Sequence, residues 1–317
     1  MTFISSSYTL NAVADPLAWD RQLAEICQPH LMQSWAYGEA KQRAANWHVR
    51  RFTIEKAGSV VAICQVLEKR IAGLRVAARI NRGPLFIEAQ PSAQVRGNVY
   101  HLLRRTWHFS TGGPLLIAPA LLLSDENREI LLQTGFRQRK GNPWCSARID
   151  LASDEATLRA RLSATWRNRL RQSMRSGLRL QISTGLEEVH WMLRRHDENM
   201  RLKNFVGPQA PLILALYHAR PGDFIILSAL LDGTPVAGMV ITQFGRTAEY
   251  YLGWFGHPDG RKANSGNFLY WHAALEMQKA GQKWLDLGGY YSSDKFGHFK
   301  QGMGGSEYKL AGEWFCW

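Results

Sequence analysis

The richest chemical pattern in the sequence is a lysine set between two glycine pairs. Leu285-Asp286-Leu287-Gly288-Gly289 is followed by Phe299-Lys300-Gln301-Gly302-Met303-Gly304-Gly305. An amine attacking an activated ester needs no protein nucleophile. It needs orientation and a positive group where the oxyanion develops, and a lysine beside glycine-rich backbone can provide that group. Asp286, His298 and Glu307 are candidate proton acceptors beside it, each read first as structural, and transfer through substrate groups is the alternative. No Ser-His-Asp or Cys-His arrangement stands out. Cys27, Cys64, Cys145 and Cys316 are widely scattered, which fits free or buried thiols in a reducing compartment rather than disulfides or a zinc site. The ten histidines, His190 and His196 among them, show no metal spacing. No cofactor and no metal are expected.

Those residues need a frame, and the chain offers two. His48–Ile54 alternates, Lys56-Ala57-Gly58 turns, and Val60–Leu67 returns as a second strand, continued by Arg75–Ile80 and Leu85–Ile87. A helix over Gln94–Phe109, a strand over Pro114–Pro119 and a helix over Asp125–Thr134 follow. A second unit begins near Asp150 with an arginine-rich helix or helix pair capped by Ser153 and running past Arg159, Arg161, Arg167, Arg169, Arg171 and Arg175. Helices over Glu187–Arg201 and Pro211–His218 precede strands over Phe224–Leu231, Pro235–Phe244 and Ala248–Phe255. The helix Phe268–Ala280 and the strand Lys283–Leu287 lead to an irregular polar loop ahead of Phe299. Meanders flanked by helices predict an α+β fold rather than an alternating parallel one. The expected domains are 1–148 and 149–317, with the last ten or so residues packing back on the first.

The glycine-flanked segment resembles the signature of the FemABX (Fem-type) aminoacyltransferases, in which aspartate-leucine-glycine-glycine is followed by phenylalanine-lysine-x-x-phenylalanine-glycine-glycine. Met303 replaces the second phenylalanine. Three further pieces agree in order: Gln33-Ser34-Trp35-Ala36-Tyr37-Gly38-Glu39-Ala40-Lys41; Ile149-Asp150-Leu151 followed by Arg167-Asn168-Arg169; and Asp232-Gly233-Thr234-Pro235-Val236-Ala237-Gly238. The turn Arg261-Lys262-Ala263-Asn264-Ser265-Gly266 is similar to the R/Q-x-x-G-x-G/A loop of GNAT acetyltransferases, where backbone N–H groups at a helix N-terminus cradle a pyrophosphate. Asn264 stands at the first glycine position, and asparagine tolerates a left-handed turn.

The resemblance implies two tandem GNAT-like domains facing a shared cleft, and transfer of an aminoacyl group from aminoacyl-tRNA to an amine, by family default on a peptidoglycan precursor. By motif position Lys300 supports the transition state. Lys41 and Arg201 contact acceptor phosphates, with Trp35 and Phe299 in the substrate site. Tyr251 is the matching tyrosine of its strand, Tyr250 being the alternative. Arg261, Asn264 and Gly266 hold the donor. Acyl-CoA is the alternative donor, and a non-catalytic binding protein is a third reading.

With 39 Lys plus Arg against 26 Asp plus Glu, the chain carries +13 and favours anionic partners: nucleotide phosphates, tRNA, or peripheral contact with an anionic membrane. Hydrophobic residues make up 45%, enough for each half to bury its own core. Met1–Ser6 lacks a basic region followed by an apolar one, and no apolar run is long enough to span a bilayer. A soluble cytoplasmic protein is expected.

Overall fold

A computed structural model describes residues 7–141, 145–290 and 295–317, with the backbone alone at Lys295 and Phe296. The reading of Met1–Ser6 and part of the expected polar loop, 291–294, lie outside the described residues.

The chain divides into two units, 1–144 with 309–317 and 145–308. The first contains β1 (Tyr8–Ala12), α1 (Pro16–Glu25), α2 (Trp35–Ala45), β2 (His48–Lys56), β3 (Ser59–Ile71), β4 (Leu74–Asn81) and β5 (Leu85–Phe86). It continues with α3 (Ala93–Thr106), β6 (Leu115–Ala118), α4 (Asp125–Gln133) and β7 (Arg137–Gln138). The second contains β8 (Cys145–Asp150), α5 (Glu155–Arg161), α6 (Ala164–Met174), β9 (Arg179–Ser183), α7 (Leu186–Lys203), α8 (Ala210–Ala219), β10 (Phe224–Leu231) and β11 (Thr234–Phe244). Then come β12 (Thr247–Trp254), α9 (Pro258–Lys262), α10 (Ser265–Lys279), β13 (Trp284–Asp286), α11 (Lys295–Gln301) and β14 (Ser306–Lys309), and the chain ends in β15 (Trp314–Cys316).

The first sheet runs β1-β2-β3-β4-β6-β15-β7, so the C-terminal strand is inserted between two strands laid down some 180 residues earlier. Trp314, buried in this position, joins Phe52, Ile54, Tyr100, Trp107 and Phe136 in the first core. The second sheet runs β14-β8-β13-β12-β11-β10-β9 over a core built on Trp166, Met239, Tyr270, Trp271 and Leu285. The α+β reading holds, and β4 with β6 and β12 with β13 pair in parallel.

Local details differ from the expectations. The second unit begins at Cys145, the first residue of β8, whose second half pairs with β13 through Arg148–Asp286, Ile149–Leu285 and Asp150–Trp284. Asp154, not Ser153, caps α5, its carboxylate accepting from the Thr157 N–H at 2.8 Å. The irregular loop expected ahead of Phe299 gives way to a short helix, α11, that begins at Lys295 and carries Phe299 and Lys300.

Caps account for much of the rest. Ser34 accepts from Tyr37 N–H to start α2, and Ser163 accepts from Trp166 N–H to start α6. Along α6 the buried Trp166 and Leu170 are four residues apart, which turns Arg167, Arg169, Arg171 and Arg175 outward.

Candidate active site

The site in the second unit begins with two neighbouring parallel strands that part. β12 and β13 are in register only at Thr247–Trp284, Ala248–Leu285 and Glu249–Asp286. Beyond Glu249, β12 continues to Trp254, whereas β13 has ended and turns at Gly288. Gly288 has φ +72°, and a Cβ there would stand 2.6 Å from the Tyr250 carbonyl oxygen, so only glycine fits. Gly304 repeats the logic at φ +72°, its missing Cβ leaving room for the Arg161 carbonyl at 2.4 Å. Both glycine pairs thus let backbone approach backbone around the lysine.

Lys300 is 0% exposed. Its ammonium donates to the Gly288 carbonyl at 3.0 Å and toward Gly289 at 3.4 Å, 4.9 Å from the centre of the Tyr250 ring. Burial lowers its pKa from 10.5 to about 7, against the opposing pull of Asp286 and Glu249. A group poised there gains or loses its charge near neutrality.

Asp286, one of the candidate proton acceptors, is in a structural network. It is buried and accepts from Ser146 Oγ, Tyr308 Oη, the Gly288 N–H at 2.9 Å and Arg148 Nε at 3.0 Å. Its oxygens hold the turn that receives Lys300. Glu307 is similarly engaged, accepting from Tyr290 Oη and Gln301 Nε2 at 2.8 Å each, while His298 is exposed. Sequence reasoning passed over Ser146, Arg148, Glu249 and Tyr308. Strand register sets Arg148 and Glu249 opposite Asp286, and Tyr308 has no local signal.

Phe299 touches the edge of Tyr270 at 5.3 Å and meets Trp166 at 5.7 Å. Tyr250 stacks on Tyr270 at 5.1 Å, and burial raises the pKa of both hydroxyls. Gly266 completes the row, since a Cβ on it would lie 3.7 Å from the Phe299 ring. The structure therefore brings Gly266, Phe299, Lys300 and Tyr250 together. Tyr251 is elsewhere, edge-on to Phe224 at 6.3 Å. The cause is a bulge: Val240 faces Leu252 and Ile241 faces Tyr250, so Tyr251 is the extra residue of β12.

Asn264 adopts the left-handed conformation, φ 54° and ψ 41°, and its side chain does not cap α10. It donates to Gln172 Oε1 at 3.2 Å, linking α10 to α6. The first-turn N–H groups of α10 are thus left by their N-cap to another acceptor, the arrangement that holds anions. Arg261 donates to the Gly256 carbonyl at 2.7 Å and ties the preceding loop.

Lys41 and Trp35 belong to the first unit, Arg201 to the second. Lys41 forms no salt bridge among the described residues; burial, then Arg79 and Lys69, lower its pKa. Trp35 carries the Arg51 guanidinium 3.6 Å above its ring, and Arg51 also donates to Glu39 and Gln65. The buried Gln33 binds Gln65 and Asn81 backbone. These contacts fix the start of α2, the helix that carries Lys41. Arg201 is exposed in the last turn of α7. The described residues contain no cluster of His, Cys, Asp and Glu able to hold a metal, and no helix long and apolar enough to cross a membrane.

Residues 160–310 match the family model of the acetyltransferase (GNAT) domain. The fold is similar to that of FemX, at 14% identity over 97% of this chain and 96% of that one, TM-score 0.78. It is similar also to L-PGS from Bacillus licheniformis, at 12% identity over 95% and 91%, TM-score 0.52. A tandem GNAT protein of the clavulanic acid biosynthesis pathway matches at 12% identity over 98% and 97%, TM-score 0.51. No curated protein matches the sequence significantly. The chain has the fold of FemX, with two GNAT-like units in tandem.

Proposed function

We propose that this acyltransferase moves an aminoacyl group from aminoacyl-tRNA to an amine, with a peptidoglycan-precursor stem peptide as acceptor. The observation that carries the reading is the buried Lys300, held by the Gly288 and Gly289 carbonyls where β12 and β13 part. The acceptor amine attacks the ester carbonyl, the C–N bond forms, and the ester C–O bond breaks. The amine's proton ends on the departing ribose hydroxyl. No protein nucleophile is needed, and the Lys300 ammonium supplies positive field as the carbonyl oxygen gains charge.

Two features favour a polyanionic donor. α6 turns Arg167, Arg169, Arg171 and Arg175 to solvent, and it is joined to the donor loop through Gln172 and to Phe299 through Trp166. Lys41, desolvated and without a salt bridge among the described residues, suits an anionic acceptor in the first unit, as the exposed Arg201 does in the second. An acyl-CoA donor is the second reading, favoured by the left-handed Asn264 and the uncapped start of α10. Parallel incubations with charged tRNA and with acyl-CoA, each with the precursor and read by mass spectrometry, test the choice. An aminoacylated precursor formed only from charged tRNA supports the first reading. An acylated product formed only from acyl-CoA overturns it.

A further inference from the structure

Backbone pairing gathers three segments at one end of the first unit's sheet. The β3–β4 turn, Ile71-Ala72-Gly73-Leu74, closes its hairpin with Ile71 opposite Leu74. Phe109–Gly113 runs against the start of β4, where Arg75 donates to the His108 carbonyl at 3.3 Å and to Thr111 Oγ1 at 2.6 Å. The chain end arrives along β15, with Cys316 opposite Leu115, and Trp317 meets Phe109 edge-on at 5.7 Å.

This end is apolar and open to solvent. Leu74 is 73% exposed, Ile71 65%, Trp317 55% and Phe109 51%. A Cβ built on Gly73 meets nothing within 4 Å, so the tip of the turn is open at that residue. Single exposed apolar residues are ordinary, but four large ones gathered at one end mark a contact surface.

The charge around them is net positive. Lys69 and Arg70 precede the turn and Arg75 follows it, with Arg105 at the end of α3 ahead of Phe109; the nearby Glu68 is buried and paired with Arg50 and Arg70, and Lys69 also donates to the Ala45 and Asn46 carbonyls. Two copies meeting through this end would set cation against cation. Nucleic acid would take the cations yet leave Ile71 and Leu74 in water. A lipid surface carrying anionic headgroups takes both, with the headgroups facing the cations and the acyl boundary receiving the apolar side chains.

We propose that this end of the first unit, the Ile71–Leu74 turn with Phe109 and Trp317, docks peripherally on an anionic lipid bilayer. The docking is independent of which acyl donor the second unit uses. The test is co-sedimentation of the full chain with vesicles of phosphatidylcholine alone or mixed with phosphatidylglycerol, at low and high salt. The wild type pellets with the mixed vesicles and far less with phosphatidylcholine, and salt weakens the binding. Replacing Ile71→Ser and Leu74→Ser together lowers the bound fraction by roughly tenfold or more. The melting temperature stays unchanged because both side chains face solvent; if the pair lowers it, Leu74→Ser alone gives the smaller loss on an intact fold. Equal pelleting of the folded serine variant, or no preference of the wild type for the anionic vesicles, overturns the proposal.

Discussion

A buried ammonium costs free energy unless carbonyls and carboxylates surround it, and Lys300 has both. Desolvation still dominates, setting its pKa near 7 against 10.5 for an exposed lysine. The consequence for stability has a definite sign. Between about pH 7 and 10.5 the unfolded chain holds the Lys300 proton more tightly than the folded one, so this residue makes stability rise with pH across that window. Below about 7 both states are protonated and the full burial penalty is present. Urea unfolding at pH 7 and pH 9 should show the wild type gaining stability relative to Lys300→Met as pH rises. A constant difference between the two proteins would mean that Lys300 titrates normally. The glycines around Lys300 were legible because positive φ and close backbone approach leave glycine few substitutes. Asn264 was legible for the related reason that asparagine tolerates the left-handed region it occupies here.

At the scale of the element, the parting of β12 and β13 makes the site, and Asp286 fixes where the parting begins. Its contacts reach β8 through Ser146 and Arg148, the Gly288 turn, and Tyr308 in β14. Because its charge holds the Lys300 pKa up, Asp286→Asn should move the alkaline limb of the activity profile to lower pH. It should also destabilise the fold by about 3–5 kcal/mol, the typical cost of leaving one member of a buried pair uncompensated, here Arg148. Tyr308→Phe, which keeps the charge, should leave the limb in place. A profile unmoved in the folded Asp286→Asn protein would remove Asp286 from the positioning of Lys300. These partners come from strands about 140 and 20 residues away, so spacing along the chain could not announce them. The bulge hid a second detail: one extra residue in β12 decides that Tyr250, not Tyr251, flanks the lysine. The helix over Phe299 and Lys300 was unreadable for a simpler reason, since Gly297 and Gly302 bracket it with poor helix formers.

At the scale of the whole molecule, the proposal draws on residues of both units. The first carries Lys41 on a helix fixed by the buried Gln33 and Gln65 network. The second carries Lys300, the loop around Asn264 and the basic face of α6. The meanders were visible as alternating runs ended by glycine turns. The place of β15 between β6 and β7 is a long-range pairing that three residues of sequence, Trp314–Cys316, cannot specify by themselves. The central claim is that the second unit joins an aminoacyl group to an amine under the field of the Lys300 ammonium. The most direct measurement is the single-turnover rate of transfer from charged tRNA to the stem-peptide precursor, in wild type and Lys300→Ala, across neutral pH. The wild-type rate should fall as pH rises through about 7, where the ammonium is lost. Lys300→Ala should be roughly 100-fold slower or worse, with donor and acceptor binding largely kept and that limb absent. Transfer by Lys300→Ala at the wild-type rate, with the same pH profile, would contradict the account.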